Sequence, residues 1–231
     1  MSKRDKKGQM AMRTVIFDLD GTLADTSGDL LNAANTCFRD LGLGDLLNLE
    51  TDKATALTGG KAMLRLGFSR VEGYGEDDVD GQYQRLLDAY AQDIDTHTFM
   101  YPGAMDAIET LKSDGYAVGI ATNKPEGLAE TLLTRLGVRD AFASMVGADT
   151  LPVRKPDPEH LFEAVRRAGG DVDRCLLVGD TWTDRNTSKA AGVPSVLVTF
   201  GPAAEDVIAM EAEGYFSDYR DLHGVVAGLI G

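Results

Sequence analysis

Five short runs of apolar and β-branched residues recur along the chain, and helix-like segments separate most of them. They cover Thr14–Phe17, Tyr116–Ala121, Ser144–Gly147, Leu176–Gly179 and Val196–Phe200. Runs of this length and composition are typical of buried strands. Strands that alternate with helices form a parallel sheet with helices on both faces. The pattern therefore predicts an α/β fold with a doubly wound, Rossmann-like parallel sheet.

Apolar residues at helical spacing predict three helices in the second half of the chain, at Pro102–Ser113, Pro125–Arg135 and Pro158–Ala168. Proline suits the first turn of a helix, and Gly137 and Gly169 follow two of the predicted helix ends. The apolar stripes of these helices are expected to pack in the core.

Residues 26–95 show a different pattern. Helix-like stretches occupy Asp29–Leu41, Lys61–Leu66 and Val79–Ile94, with no convincing strand between them. Ligands bind beyond the carboxyl ends of the strands in open α/β sheets, and an insertion after the first strand lies at that edge. We therefore expect a helical cap over a binding site.

The predicted domain organisation is a core of residues 1–25 and 96–231 and a helical cap of residues 26–95. The basic, polar segment of residues 1–10 is expected to be a disordered tail. No apolar segment follows it, so it does not resemble a secretory signal. No stretch approaches the uninterrupted apolar length of a membrane span, and no membrane partner is expected.

Charge and cysteine content narrow the classes of partner. The chain has 37 acidic and 23 basic residues and a formal net charge of −14, which argues against a nucleic-acid partner. A small anionic substrate is compatible with this charge if a bound cation and local Lys or Arg residues attract it. Cys37 falls in a helix-like segment and Cys175 begins an apolar run, and neither has the spacing of a zinc or disulfide site. We expect a reducing, cytoplasmic setting.

Two carboxylates, Asp18 and Asp20, directly follow the first apolar run and precede a Gly-Thr pair. Acids at the end of a buried strand can bind a hard cation, and one of them can attack an electrophile. The alternative is an ordinary turn, since Asp and Gly are common turn residues.

Polar residues follow three other predicted strands and should meet Asp18 at the same edge of the sheet. Thr122 and Asn123 can donate to an anion, although Thr122 also fits an ordinary helix N-cap. Lys155 precedes a proline, which favours an extended backbone, and its ammonium can neutralise a phosphate. The alternative for Lys155 is a solvated lysine in a polar loop.

The last of these strand ends carries Asp180 and, four residues later, Asp184. Asp180 is placed to complete an oxygen shell for Mg²⁺, and Asp184 to orient that shell from behind. Both also fit ordinary turn and N-cap positions. The combined set is what phosphoryl transfer requires, with a nucleophile, charge neutralisation and a metal. One carboxylate can form an aspartyl-phosphate, and a second can protonate the leaving group and then activate water.

These motifs resemble those of the haloacid dehalogenase superfamily, in the family's order. Residues 17–23 (Phe-Asp-Leu-Asp-Gly-Thr-Leu) are similar to its first motif and residues 121–124 (Ala-Thr-Asn-Lys) to its second. Residues 155–156 (Lys-Pro) and 179–184 (Gly-Asp-Thr-Trp-Thr-Asp) are similar to the third and fourth. The resemblance extends from Thr14 to the C-terminus.

The resemblance implies a role for each matching residue. Asp18 would be the nucleophile and Asp20 the general acid/base. Thr122 and Asn123 would bind the phosphoryl group, and Lys155 would balance its charge and act with the catalytic pair. The implied cofactor is Mg²⁺.

The implied magnesium site draws on Asp18, on Asp20 through its backbone carbonyl, and on Asp180, with Asp184 supporting the ligands from behind. The presence of Asp20 sets the chain apart from the dehalogenases, and the transport ATPase motif Asp-Lys-Thr-Gly-Thr is absent. Thr22 resembles phosphatases, since the mutases usually have Val at that position. A phosphomutase and a non-catalytic binding protein are retained as alternatives.

Within the phosphatases, residues 29–35, 101–103 and 154–158 resemble the phosphoglycolate phosphatase group. The resemblance implies a small phosphorylated substrate, with 2-phosphoglycolate as the first candidate, and a monomer or homodimer. In the predicted cap, Lys61 and Arg65, with Arg70, are candidates to contact the non-phosphate end of an acidic substrate. A solvated cationic helix face is an equal alternative for these side chains.

Overall fold

The computed structural model describes residues 12–202 and 204–231, so the predicted tail of residues 1–10 lies outside the described residues. The central sheet has six parallel strands in the order β5-β4-β1-β6-β7-β8. Its strands are β1 Thr14–Phe17, β4 Ala117–Ala121, β5 Ser144–Val146, β6 Cys175–Gly179, β7 Ser195–Val198 and β8 Gly214–Phe216. The predicted α/β fold with a doubly wound parallel sheet is confirmed.

Strand β1 lies at the centre of the sheet and is buried on both faces. Val15 and Phe17 pack into one apolar cluster, whereas Ile16, on the opposite face, packs into another. Successive side chains of a strand point to opposite faces, so a strand covered on both sides is apolar throughout. The continuous apolar run at Thr14–Phe17 has this cause.

Helices cover the sheet and fill the segment between the first and fourth strands. They are α1 Ser27–Asp40, α2 Lys53–Ala56, α3 Gly60–Phe68, α4 Glu76–Gln92, α5 Ala104–Ser113, α6 Glu126–Arg135, α7 Pro158–Arg167, α8 Trp182–Ala191, α9 Ala204–Val207 and α10 Leu222–Ile230. All six helices whose residue ranges were predicted from the sequence are present, and their ends differ from the predicted ones by three residues or fewer. None of the described helices combines the length and apolar character that a membrane crossing needs.

Residues 26–95, all of them described, contain α1 to α4 and no strand. This segment leaves and rejoins the core through two short antiparallel strands, β2 Ala24–Asp25 and β3 Phe99–Met100. Its helices pack around Phe38, whose ring lies edge-on to Phe68 at a centroid distance of 5.1 Å. We refer to α1–α4 as the cap; its assignment as a separate domain stays a prediction.

Both cysteines are buried in the fold. Burial raises the pKa of the Cys37 thiol to about 11 and that of Cys175 to about 12. Thiols with such pKa values carry little thiolate at neutral pH, so they act as small apolar side chains. The exposed fraction is 1% for Cys175 and 0% for Cys37.

We predict that Gly67→Ala destabilises the cap and that Gly81→Ala, its matched control, does not. A Cβ at Gly67 of α3 would lie 2.1 Å from Cζ of Phe38, whereas one at Gly81 of α4 would meet no atom within 4 Å. Overpacking should lower the free energy of unfolding of Gly67→Ala by about 1–3 kcal/mol. Gly81→Ala should raise it by about 0.4–1 kcal/mol. Urea unfolding followed by circular dichroism measures both, and equal stability of the two variants would contradict the packing described here.

Candidate active site

Three neighbouring strands bring the candidate residues to one edge of the sheet. Asp18 directly follows β1, Thr122 follows β4 and Asp180 follows β6, and these strands lie side by side. Because parallel strands end at the same edge, residues far apart in sequence meet there. Lys155 reaches this edge from the loop between β5 and α7.

A buried lysine links two of the predicted carboxylates. Nζ of Lys155 lies 2.9 Å from Oδ1 of Asp18 and 2.7 Å from Oδ1 of Asp184. Burial alone would lower the pKa of Lys155, but the adjacent Asp18 and Asp184 raise it above its ordinary value. The ammonium therefore stays charged and is held by two partners.

The Asp18 carboxyl is buried in the same site. Burial raises its pKa from 3.8 to about 7, against the opposing effect of Lys155 and with a further increase from Asp184 and Asp20. Its Oδ1 also accepts a 2.7 Å hydrogen bond from the backbone N–H of Leu19, which fixes the position of the carboxyl. A carboxylate at this position is costly without a positive partner.

Asp180 has one oxygen with a partner and one without. Its Oδ1 accepts a 3.0 Å hydrogen bond from the Thr22 hydroxyl, whereas its Oδ2 is buried and has no hydrogen-bond partner among the described residues. Burial raises the pKa of Asp180 well above its ordinary value, and the charges of Asp184 and Asp18 raise it further. An unpaired buried carboxylate oxygen needs a specific explanation, and a cation is one.

Asp184 lies in the first turn of α8 and also supports the site. Its Oδ2 accepts hydrogen bonds from the backbone N–H and the hydroxyl of Thr181, the N-cap of α8, at 3.1 and 2.8 Å. Its Oδ1 binds Lys155. Thr181 is the N-cap, so Asp184 is not the N-cap residue of the alternative interpretation. It is the third residue of α8, completes the capping box and also holds the lysine of the site.

Asp18, Asp180 and Asp184 form a cluster that fits a metal ion. One oxygen of each carboxylate lies within 4.8 Å of the others. Gly21 permits this approach because its φ is +80° and a Cβ there would lie 2.2 Å from the unpaired Oδ2 of Asp180. Three buried carboxylates with one unpaired oxygen match the oxygen ligands that hard divalent cations prefer.

The Asp20 side chain lies outside this carboxylate cluster and has partners of its own. Its Oδ1 accepts a 2.6 Å hydrogen bond from the Thr26 hydroxyl and lies 2.9 Å from Nζ of Lys124. Nζ of Lys124 also donates to the hydroxyl of Tyr90, on α4 of the cap, at 3.0 Å. Lys124 belongs to the same sequence motif as Thr122 and Asn123, and no role was predicted for it. A lysine after a strand is usually solvated, and only the fold shows that this one is buried.

Thr122 and Asn123 organise the loop rather than the helix that follows. The hydroxyl of Thr122 accepts a 3.1 Å hydrogen bond from the backbone N–H of Lys124, and the N-cap of α6 is Pro125, so Thr122 is not the N-cap. The exposed Asn123 amide donates to the carbonyl of Lys155 at 3.0 Å. This bond ties the end of β4 to the loop that carries Lys155. The phosphate-binding roles of both residues stay predictions.

The three cationic side chains predicted for the cap are paired with acids at the surface. Lys61 binds Asp80 at 2.6 Å, and Arg70 binds Asp52 at 2.8 Å. Arg65 forms an ion pair with Glu76 and, like Lys61, has an exposed side chain. Lys61 and Arg65 line a pocket that also borders Asn123 and Arg154 of the core. Their predicted contact with substrate stays a prediction.

A cavity of about 110 Å³ lies between the cap and the strand ends. The core contributes polar side chains, including those of Asp18, Asp20 and Lys155. The cap contributes mainly apolar or aromatic side chains, namely Leu30, Ala56, Leu57, Tyr83, Leu86, Leu87 and Tyr90. A small polar group and an apolar wall are typical of sites that bind small molecules away from bulk water.

The sequence model of the haloacid dehalogenase-like hydrolases matches residues 15–198, and the chain belongs to this family. It is similar to a phosphoglycolate phosphatase from Mesorhizobium japonicum, with 37% identity over 92% of this chain and 94% of that protein. A phosphoglycolate phosphatase from Rhodospirillum rubrum is 36% identical over 91% of this chain and 89% of its own length. The predicted family is confirmed.

Solved structures share the fold at lower identity. A predicted phosphoglycolate phosphatase from Haemophilus somnus superposes with a TM-score of 0.82 at 24% identity, covering 94% of this chain and 99% of that one. A hydrolase from Pseudomonas syringae gives a TM-score of 0.73 at 21% identity, over 95% of this chain and 100% of its own. These likenesses establish the α/β fold over at least 94% of the chain.

We predict that Mg²⁺ stabilises the protein most near neutral pH. The folded-state pKa of Asp18, about 7, exceeds its ordinary value of 3.8, so the folded protein binds this proton more tightly than the unfolded chain does. Without metal, protonated Asp18 therefore contributes to the free energy of unfolding at acidic pH, and this contribution is lost as the pH rises from about 4 to about 7. Mg²⁺ should raise the melting temperature more at neutral than at acidic pH.

Asp180→Asn tests the same cluster. Removal of one negative charge should raise the melting temperature of the metal-free protein and reduce the increase caused by Mg²⁺. Thermal unfolding with and without Mg²⁺ at both pH values measures these changes. If wild type and Asp180→Asn gained equally from Mg²⁺, the three carboxylates would not be the binding site.

Proposed function

We propose that the protein is a Mg²⁺-dependent phosphatase that hydrolyses a small phosphomonoester, with 2-phosphoglycolate as the first candidate, through a phospho-aspartate on Asp18. The observation that carries the proposal is the buried Lys155 between Asp18 and Asp184, beside the unpaired oxygen of Asp180. The family and the names of the curated relatives support a phosphatase.

In the first step Asp18 attacks the substrate. One carboxylate oxygen of Asp18 forms a bond to phosphorus while the bond between phosphorus and the ester oxygen breaks. The ester oxygen takes a proton from Asp20 and leaves as an alcohol. Lys155, fixed by two carboxylates, balances negative charge on the phosphoryl oxygens, which Thr122 and Asn123 also bind.

The second step restores the enzyme. Asp20 accepts a proton from a water molecule, whose oxygen attacks phosphorus and breaks the bond to Asp18. Inorganic phosphate leaves, and the Asp18 carboxylate is free again. Asp20 thus gives one proton and takes one back in each cycle, so the atoms and charges balance.

The carboxylates of Asp18 and Asp180, supported by Asp184, would hold the metal, together with the backbone carbonyl of Asp20. Mg²⁺ at this position would supply positive charge that offsets the negative charges of phosphate and carboxylate as they approach each other. The apolar wall of the cap would keep bulk water from the cavity, and opening of the cap would release the products.

We predict that Asp18→Asn abolishes phosphatase activity, because an amide oxygen is a poor nucleophile. The loss in kcat should be at least about 1000-fold, as for other enzymes that lose their nucleophile. Asp106→Asn makes the same chemical change at an exposed position of α5 and should leave activity unchanged. Phosphate release from 2-phosphoglycolate with Mg²⁺ measures both. Retained activity in Asp18→Asn would exclude the mechanism.

We predict that Asp20→Asn blocks the second step more than the first when the leaving group needs no proton. With p-nitrophenyl phosphate, the nitrophenolate leaves without general acid help, whereas the attacking water still needs a base. A phosphorylated enzyme should therefore accumulate, with a burst of nitrophenol and a slow steady state. Acid quench followed by mass spectrometry detects a phosphoryl group on Asp18. A slow reaction with neither burst nor phosphorylated protein would assign Asp20 a different role.

A further inference from the structure

Among the described residues, two cationic side chains, Lys155 and Lys124, line the cavity between the cap and the strand ends. Lys155 is committed to Asp18 and Asp184 and, in the proposed function, to the phosphoryl group. Lys124 has no part in that chemistry. Its side chain is 3% exposed, so the protein bears the cost of a second buried ammonium at this site.

Lys124 is held at a defined place next to Asp20. Its Nζ lies 2.9 Å from Oδ1 of Asp20 and 3.0 Å from the hydroxyl of Tyr90, and it lies over the Tyr90 ring at 4.3 Å from the centroid. Burial alone would lower the pKa of Lys124, but Asp20 and Tyr90 raise it, so the ammonium is charged. An ammonium has three N–H donors, and two have these partners.

The position of Asp20 locates the leaving group. Asp20 must reach the ester oxygen to protonate it, so the carbon atoms of the leaving alcohol lie beside Asp20. Lys124 binds the same carboxylate and lines the same cavity, so it lies next to these carbons. A group on the carbon adjacent to the ester oxygen would therefore be within reach of Nζ.

The surroundings of Lys124 favour an anion over an uncharged group. A substrate carboxylate in this cavity would lose most of its contact with water and would need a positive partner there. The cap wall, with Leu30, Leu86 and Leu87, cannot satisfy a buried anion. The cap cations Lys61 and Arg65 do not line the cavity that holds Asp18 and Asp20. They line an adjoining pocket and are paired with Asp80 and Glu76.

We propose that Lys124, positioned by Tyr90, binds a carboxylate on the leaving group and thereby selects phosphate esters of 2-hydroxy acids. The proposal rests on the proposed function, because it takes the place of the leaving group from the role of Asp20. It assigns selection of the acid group to a core lysine at the end of β4 rather than to Lys61 or Arg65 in the cap.

The test compares two esters of similar size that differ in charge. These are 2-phosphoglycolate and 2-hydroxyethyl phosphate, in which a hydroxymethyl group replaces the carboxylate. The readout is the ratio of their kcat/KM values, because a change in the position of Asp20 alone would lower both values by the same factor. Lys124→Met should lower this ratio at least about 30-fold, as expected for a desolvated charge pair that loses one member.

Four further variants complete the design. Lys124→Arg keeps the charge and should retain most of the ratio. Tyr90→Phe removes one hydrogen bond to Nζ and should lower the ratio by a smaller factor of about 3–10, which gives a second test if Lys124→Met does not fold. Lys61→Met should leave the ratio unchanged, as should Lys112→Met, a lysine on the surface of α5.

The outcomes separate this proposal from the proposed function. If wild type hydrolysed neither ester, the proposed function would fail. If Lys124→Met and Tyr90→Phe lowered kcat/KM by the same factor for both esters, Lys124 would be a positioning residue for Asp20. The proposed selection would then be overturned. If Lys61→Met lowered the ratio of the two kcat/KM values and Lys124→Met did not, recognition of the substrate carboxylate would belong to the cap.

Discussion

The buried ion pairs of Lys155 determine the geometry of the site. Charges removed from water are costly, and an ammonium between two carboxylates is tolerated only with close contacts of the kind seen here, at 2.9 and 2.7 Å. Each partner is anchored in a different element: Asp18 at β1, Asp184 in the first turn of α8, and Lys155 in the loop before α7. The lysine therefore joins three parts of the fold at one point, and the Asp18 carboxyl owes its position to all three.

The topology of the sheet makes this meeting possible. Strand β1 lies between β4 and β6, so its end is flanked by the ends of two other strands. A short polar segment after each strand is sufficient to assemble a site from residues more than 100 positions apart. Asp184 is at once a helix-capping residue and a partner of Lys155, so local helix stability and the chemistry of the site depend on the same side chain.

The core motifs were predictable because each is a local sequence event. A buried strand that ends in an acid, as at Asp18 and Asp180, can be recognised from neighbouring residues, and the parallel sheet then requires that these residues meet. Strand β8 was not found in this way, because its three residues, Gly-Tyr-Phe, begin with glycine and follow the polar Glu211–Glu213 segment, so no apolar run marks them. The helix ends were also displaced by up to three residues, because capping is decided by contacts that a periodic pattern does not contain.

Lys124 shows a different limit. Its burial depends on Tyr90, which is 34 residues away in the cap, and on the carboxylate of Asp20. Nothing in the sequence around Asn123 distinguishes a buried lysine from a solvated one. For Lys61 and Arg65 the sequence showed a cationic pattern that suggested contact with substrate. In the structure they pair instead with Asp80 and Glu76, which lie on another helix. For lysine and arginine, then, the residue type predicts the positive charge, but only the tertiary structure shows which acidic residue pairs with it.

The two-residue strands β2 and β3 have a consequence for how such a protein can change over evolution. Their pairing brings Ala24 and Met100 side by side, and Tyr101 donates a backbone hydrogen bond to Leu23 at 2.9 Å. The two ends of the 26–95 segment are therefore joined by the core itself. Loop-closure entropy grows only slowly with length, by about 0.6 kcal/mol for each doubling. The segment between these strands can lengthen, shorten or be exchanged at small cost to the sheet, while the residues at the strand ends stay where they are.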